Sequence, residues 1–277
     1  MSFLRCGKFE LSLVRPLVMG IVNLTPDSFS GDGLATDTAR AVSHARAQIA
    51  AGADILDLGA ESTRPGATPA TAAEEIERLL PVLAELTDCG VPLSVDTYKP
   101  EVMRAVLAAG ADMINDIAAL NQPGALEAVA DSDCGICLMH MQGQPLTMQQ
   151  NPHYADVVCQ VREFLESRVA AARAAGIGVE RLVLDPGFGF GKSLEHNLAL
   201  LRRLPETTVD GLPILAGMSR KTMLGALTGK PVGERLGASV AAHLQAATLG
   251  ARILRVHDVA ALRDALLVWQ AVTPWNG

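Results

Sequence analysis

Eight short apolar runs punctuate the chain, and each stops at a residue that hydrogen-bonds or carries charge. Residues 17–22 stop at Asn23, 55–56 at Asp57 and 93–95 at Asp96. Residues 113–114 run into Asn115 and Asp116, and 136–139 into His140. Residues 182–184 end at Asp185, 214–218 at Ser219, and 253–256, interrupted only by Arg255, at His257. Buried strands that all surface on a polar residue predict a parallel sheet whose polar strand ends share one rim. That rim is where parallel α/β proteins keep their chemistry.

Helical patterns separate the strands. Residues 38–51 place Ala41, Val42, Ala45 and Ile49 on one face, and 72–86 do the same with Ile76, Leu79, Leu80 and Leu83. Residues 100–109 open on a proline, where a missing N–H is harmless, and Asn121 is expected to cap a helix opening at Pro123. Segments 154–175, 193–204, one within 221–249, and 258–272 complete eight helices. Three near-repeats, 50–57, 108–115 and 248–255, each close a helix on Gly (Gly52, Gly110, Gly250) and start a strand a few residues later, the αβ half of a βαβ unit. Eight such units fit a single closed (β/α)8 TIM barrel over residues 1–277 better than the alternative, an open doubly wound sheet. Residues 3–6 and 9–13 around Gly7-Lys8 read as a small hairpin placed to plug the barrel floor.

Composition supports one domain, because 277 residues with 49% hydrophobic content suffice for a large core and no linker or low-complexity tract interrupts them. The net charge of −7 argues against nucleic acid and anionic membrane as partners, though a local basic cluster still suits an anionic small ligand. With no signal-like or membrane-spanning segment, a cytoplasmic enzyme is expected. The five scattered cysteines read as reduced thiols, including Cys134-Gly135-Ile136-Cys137, which leads into a strand and lacks a second pair for zinc.

Residues 185–193 end in Gly191-Lys192-Ser193 like a phosphate-binding loop, but Pro186 stands where its first glycine belongs. They also fail the dinucleotide pattern, since Lys192 replaces a third glycine. What remains is a glycine-rich turn that brings backbone and phenylalanine rings close to a flat ligand. Each of Asp57, Asp96, Asn115, Asp116 and Asp185 has a bland reading as a helix cap. Together they offer a heterocycle a converging set of acceptors. Arg64, Lys221, Arg255 and His257, with Arg220 and Lys192 nearby, form a cationic counterpart, the alternative being solvated surface charges. Loops 23–33 and 61–68 have the length and composition of lids. Met139 and Met141 read equally well as wall packing or ligand contact, and His44, His153 and His243 as structural or surface residues.

In combination these residues resemble the dihydropteroate synthases, folate-pathway enzymes and sulfonamide targets. The resemblance covers essentially the whole chain: residues 23–30, Asp57-x-Gly59-x-Glu61-Ser62-Thr63-Arg64-Pro65-Gly66, Ser94-Val95-Asp96-Thr97, Asn115-Asp116-Ile117, Met139-His140-Met141, residues 185–192, Ser219-Arg220-Lys221 and Arg255-Val256-His257-Asp258. It implies condensation of 6-hydroxymethyl-7,8-dihydropterin diphosphate with 4-aminobenzoate, releasing pyrophosphate with magnesium (Mg2+), by a homodimer. It also implies a pterin site of Asp96, Asn115, Asp185 and Lys221, lined by Ile117, Met139 and Phe190 with Arg255 stacked on the ring. Asn23, Thr63, Arg64, Arg255 and His257 would hold the diphosphate, Asn23 touching the metal. Phe29, Thr63, Pro65, Ser219, Lys221 and Thr222 would hold 4-aminobenzoate. Arg64, Lys221, Arg255 and His257 would carry catalysis. The chain departs from the family pattern at Gly31-Asp32-Gly33, leaving the role of Asp32 open, and at Thr222, where serine is frequent. The rival readings are a pterin-dependent methyltransferase domain, which has no need of the diphosphate cluster, and a non-catalytic pterin-binding paralogue, in which the anion residues would be eroded.

Overall fold

The computed structural model describes residues 2–24, 38–61, 69–144 and 147–272. Strands β1 (Phe3–Cys6) and β2 (Phe9–Ser12) form an antiparallel hairpin. The remaining strands are β3 (Leu17–Asn23), β4 (Ile55–Gly59), β5 (Leu93–Asp96), β6 (Met113–Asp116), β7 (Gly135–Met139), β8 (Leu182–Asp185), β9 (Ile214–Ala216) and β10 (Ala251–Val256). They pair in parallel and in sequence order, and β10 closes on β3, giving the expected barrel. Around it run α1 (Thr38–Ala50), α2 (Ala72–Leu86), α3 (Pro100–Ala108), α4 (Ala125–Ala130), α5 (Val157–Ala174), α6 (Leu194–Arg202), α7 (Thr222–Thr228), α8 (Leu236–Thr248) and α9 (Val259–Val272).

Side chains alternate between the two faces of each strand, so every second residue enters the barrel. Low in the barrel these are apolar: Leu17, Met19, Ile55, Met113, Cys137, Val183, Leu215 and Ile253 form one cluster with Leu4, Cys6 and Leu13 of the hairpin segment. The hairpin therefore seals the floor, as its position predicted. Two residues further along the same strands the interior residues turn polar: Asp57, Asn115, Asp185 and Arg255. The opposite strand faces, with residues such as Val18, Leu56, Val95 and Leu254, pack against the helices in a second, larger cluster.

The three near-repeats explain how helices hand over to strands. Gly52, Gly110 and Gly250 have φ of 96°, 94° and 96°, a left-handed turn that lets the chain reverse out of α1, α3 and α8. In two of them the following aspartate closes an adjacent strand. Asp54 accepts the N–H of Val18 at 2.8 Å, and Asp112 that of Leu93 at 3.1 Å. Arg15 and Arg263 then pair with Asp54 on the barrel's underside.

Four boundaries differ from the sequence expectation, each for a physical reason. Residues 221–249 hold two helices rather than one, giving nine α-helices among the described residues, because Gly229 ends α7 in a left-handed cap and Pro231 follows. Asn121 caps nothing; its Oδ1 accepts from Arg168, and α4 opens at Ala125 behind Gly124. The β9 strand stops at Ala216 because the N–H of Met218 goes to Nε2 of His243 at 3.2 Å instead of to a neighbouring strand. Finally, β4 extends past Asp57 to Gly59, which changes what Asp57 does. No helix among the described residues is long and apolar enough to cross a membrane.

Gly110→Ala isolates the cost of the reversed backbone, since an added Cβ there would meet only Thr87 Cγ2 at 3.8 Å. We expect it to lower unfolding free energy by about 1–2 kcal/mol in urea titrations. An unchanged midpoint would show that the turn has another, unstrained conformation.

Candidate active site

Asp57 lies at the centre of the barrel mouth. It is fully buried, as β4 carries it inward on the same face as Ile55. Three neighbours donate to its carboxylate: Ser94 Oγ at 2.6 Å, Asn115 Nδ2 at 3.1 Å and Arg255 Nε at 2.6 Å. Arg255 also donates through Nη2 to Asp96 at 2.8 Å. Burial opposes the charge on Arg255, but Asp57 and Asp96 outweigh it and hold the guanidinium protonated. Burial pushes the Asp96 carboxyl upward, with Asp57, Glu75 and Asp116 adding to the effect against the pull of Arg255.

The bond from Asn115 to Asp57 fixes which way the amide points, because only its NH2 can serve a carboxylate. Its Oδ1 is then a buried acceptor without a hydrogen-bond donor among the described residues. Such an atom costs about 1–3 kcal/mol until something donates to it. Asp185 enters the mouth opposite Met139 in the β7–β8 register, and its Oδ1 accepts the N–H of Gly187 at 2.7 Å. Burial raises the Asp185 carboxyl, while Lys221 and Arg255 pull it down, so all three charges share one compartment. Lys221 donates to the carbonyl of Phe188 and its Nζ stands 4.6 Å above the ring of Phe190. Burial lowers the Lys221 ammonium to about 8. Ile117 and Met139 are buried beside these groups' strand ends.

The glycine-rich turn is held by Lys192, and here the sequence reading is corrected. Lys192 is buried, 3% exposed, and does not join the rim cations. Its ammonium lies 2.9 Å from His140 Nδ1 and donates to the carbonyls of Gly187 and Phe190, each at 2.9 Å. Burial, with Lys192 adding, pulls His140 down to about 3, so its ring is neutral and accepts. A Cβ on Gly187 (φ 69°) would collide with the carbonyl oxygen of His140, which is why glycine stands there. Arg220, the other nearby cation, is paired with Asp258 at 2.6 Å.

On the cationic side His257 follows β10 directly. Ser219 Oγ accepts the His257 N–H at 3.2 Å and lies 2.9 Å from its Nδ1. Asn23 ends β3 with its Oδ1 over Gly59, near Asp96. Thr222 is exposed at the start of α7. Asp116 has the bland role: it accepts the N–H groups of Ala118 and Leu120, each at 2.7 Å, and shapes the turn after β6. His243 is fully buried and structural. Phe29, Thr63, Arg64 and Pro65, Asp32, and most of the two expected lids lie outside the described residues.

The sequence reading missed Asp57 as the hub, Ser94 beside it, and Lys192 with His140. For Asp57 a signal existed, its two-residue spacing from Ile55, which marks it as interior and not as a strand end. A further network went unread: Lys99 joins Glu61 and Glu75, and Glu61 accepts the N–H of Ala70 at 3.2 Å, tying together the two sides of the second long loop.

No group of three or more His, Cys, Asp or Glu among the described residues is arranged to hold a metal. The donor chemistry still suits magnesium, which keeps waters and substrate phosphates as most of its ligands and needs few protein oxygens, such as Asn23 Oδ1.

Residues 19–257 match the family described as pterin binding enzymes. The chain is 53% identical over 275 residues to the dihydropteroate synthase of Neisseria meningitidis serogroup B, covering 97% of this chain and 96% of that protein. Its structure is similar to that of Burkholderia cenocepacia dihydropteroate synthase complexed with 7,8-dihydropteroate (TM-score 0.90, 55% identity, 98% of this chain and 96% of that one). It is also similar to Xanthomonas albilineans dihydropteroate synthase with 4-aminobenzoic acid (TM-score 0.91, 55% identity, 98% of each chain). A barrel mouth that sets buried acceptors against a fixed arginine, in a chain alike from end to end, makes this protein a member of the pterin-binding enzymes and, among them, of the dihydropteroate synthase family.

Proposed function

We propose that this chain, acting as one domain, joins 6-hydroxymethyl-7,8-dihydropterin diphosphate to 4-aminobenzoate at the mouth centred on Asp57 and Arg255. The observation that carries this reading is the buried, unsatisfied Oδ1 of Asn115 between Asp96 and Asp185, an acceptor wall suited to the N–H edge of a pterin. Asp96, Asn115 and Asp185 accept from that edge, and Lys221 donates to it. Ile117, Met139 and Phe190 flank the ring, and Arg255 packs on its face. Arg64, Thr63, Arg255, His257 and Asn23 receive the diphosphate. Phe29, Thr63, Pro65, Lys221 and Thr222 receive 4-aminobenzoate, while the hydroxyl of Ser219, expected there from the sequence, faces His257.

The electron-rich dihydropterin delocalises positive charge on its methylene, so the bond to the diphosphate oxygen breaks early. Arg255, already held charged by two carboxylates, and His257 stabilise the negative charge that builds on the leaving group. Magnesium, when bound with the diphosphate beside Asn23, supplies further charge neutralisation there. The arylamine nitrogen attacks the methylene, forming the C–N bond in place of the broken C–O bond, and its proton passes to the departing pyrophosphate, so no strong base is needed. Excluding water keeps it from capturing the cation.

Six of the seven large apolar side chains exposed among the described residues (Leu227, Val232, Leu236, Leu267, Val268 and Val272) fall between the start of α7 and the end of α9. This supports a homodimer formed through that face. Five free thiols, three of them buried, suit the reducing cytoplasm.

Pyrophosphate release that depends on 4-aminobenzoate and is blocked by a sulfonamide tests the reaction itself. Arg255→Ala and Asp185→Ala should each reduce turnover by about 10²-fold or more in that assay. Near-normal rates in both would remove these assignments. The Lys221 ammonium, lowered to about 8, is charged below that pH and neutral above it, so kcat/KM for the dihydropterin should fall as pH rises through about 8. Lys221→Arg should abolish that limb of the profile; its persistence would assign the ionisation elsewhere.

A further inference from the structure

We propose that Ser219 is a positioning residue that fixes His257 as the tautomer protonated on Nε2. The inference rests on the reading of His257 as a diphosphate contact only for its catalytic consequence, not for the tautomer itself.

A serine hydroxyl has one hydrogen to give and two lone pairs to receive. Ser219 is buried, 6% exposed, in the loop after β9. One lone pair takes the backbone N–H of His257 at 3.2 Å. The remaining contact is Nδ1 of the same residue at 2.9 Å. If Nδ1 carried the proton, both lone pairs would be filled and the hydroxyl hydrogen would point at no acceptor among the described residues. Leaving such a donor buried is costly. If the hydroxyl donates to Nδ1, the serine's hydrogen, the backbone N–H of His257 and its Nδ1 are all satisfied. The partner of one ring nitrogen determines the protonation of the other, so the neutral ring carries its hydrogen on Nε2.

The residue is gripped from a second side. Gln48 of α1, 5% exposed, donates its amide N–H to the carbonyl of His257 at 3.1 Å. Backbone N–H, backbone carbonyl and Nδ1 are thus all committed to buried partners from α1 and the loop after β9. Nε2 is then an N–H donor of fixed identity. No bond is made or broken at Ser219. Its hydroxyl is also spent, so the carboxylate of 4-aminobenzoate falls to Lys221 and Thr222 rather than to Ser219 Oγ.

The test reads the tautomer directly in the full-length protein labelled with 15N-histidine, using two-bond 1H–15N correlation spectra and His257→Gln for assignment. The expected result is a protonated Nε2 and an unprotonated Nδ1 at His257 in the wild type. In Ser219→Ala, with an unchanged circular dichroism spectrum, the pattern should become mixed or inverted. In the same variant turnover should fall by about tenfold or more while KM for 4-aminobenzoate moves by less than about twofold. A wild-type ring protonated on Nδ1 overturns the proposal, as does an Ser219→Ala ring that keeps its Nε2 hydrogen. So does a variant that raises KM for 4-aminobenzoate at constant kcat, which would return the hydroxyl to that substrate. Should the chain release no pyrophosphate while the tautomer matches, the reaction assignment fails and the role of Ser219 stands.

Discussion

The contact between Asp57 and Arg255 organises the mouth of this barrel. A carboxylate with no solvent exposure and a guanidinium in a strand interior are each unfavourable alone, and each is the other's remedy. Breaking a pair of this kind by deleting one partner typically costs about 3–5 kcal/mol, because an uncompensated charge stays behind. Arg255 is therefore not a side chain that swings in when needed. Its plane is set by Nε on Asp57 and Nη2 on Asp96. With two of five N–H groups engaged among the described residues, the remainder of the fork stays available to an arriving anion.

The same pair accounts for the division between floor and mouth. Ile55 and Ile253 face inward among the hairpin's Leu4 and Cys6, and two residues later Asp57 and Arg255 face inward from the same strands. Strand periodicity thus carries a dry apolar layer directly beneath a charged one. The dry layer excludes water from below, and in that setting the charges above act more strongly on one another and on any ligand. The hairpin contributes to function indirectly, by completing the layer on which the ion pair rests.

This periodicity also explains how much the sequence could disclose. The strands were legible because each is a compact apolar run, and Arg255 was legible as a charge inside one. Asp57 was visible but misplaced at a strand end, since Leu58 and Gly59 after it do not extend an obvious run; the structure continues β4 to Gly59. The split of residues 221–249 is written in Gly229, which caps one helix in the left-handed region, and in Pro231 behind it. Lys192 is a different case. Its partners are mainly the backbone carbonyls of Gly187, Phe190 and His140, and carbonyls leave no trace in residue types. Nothing in the spelling of residues 185–193 separates a lysine that reaches a phosphate from one that staples its own loop.

Asn115 shows how these constraints join. Its amide is turned by Asp57, so its NH2 faces the ion pair and its oxygen faces away from every donor among the described residues. The fold therefore carries an unfavourable acceptor as a consequence of satisfying Asp57, and the cost is removed only by a ligand that brings N–H groups. A molecule that does so gains more than the same contact would yield in water, because the acceptor has already lost its solvent. Its binding also favours the folded chain by mass action. Recognition of a flat ring and retention of Arg255 beside it are thus two results of one buried carboxylate, and neither can be altered without disturbing the other.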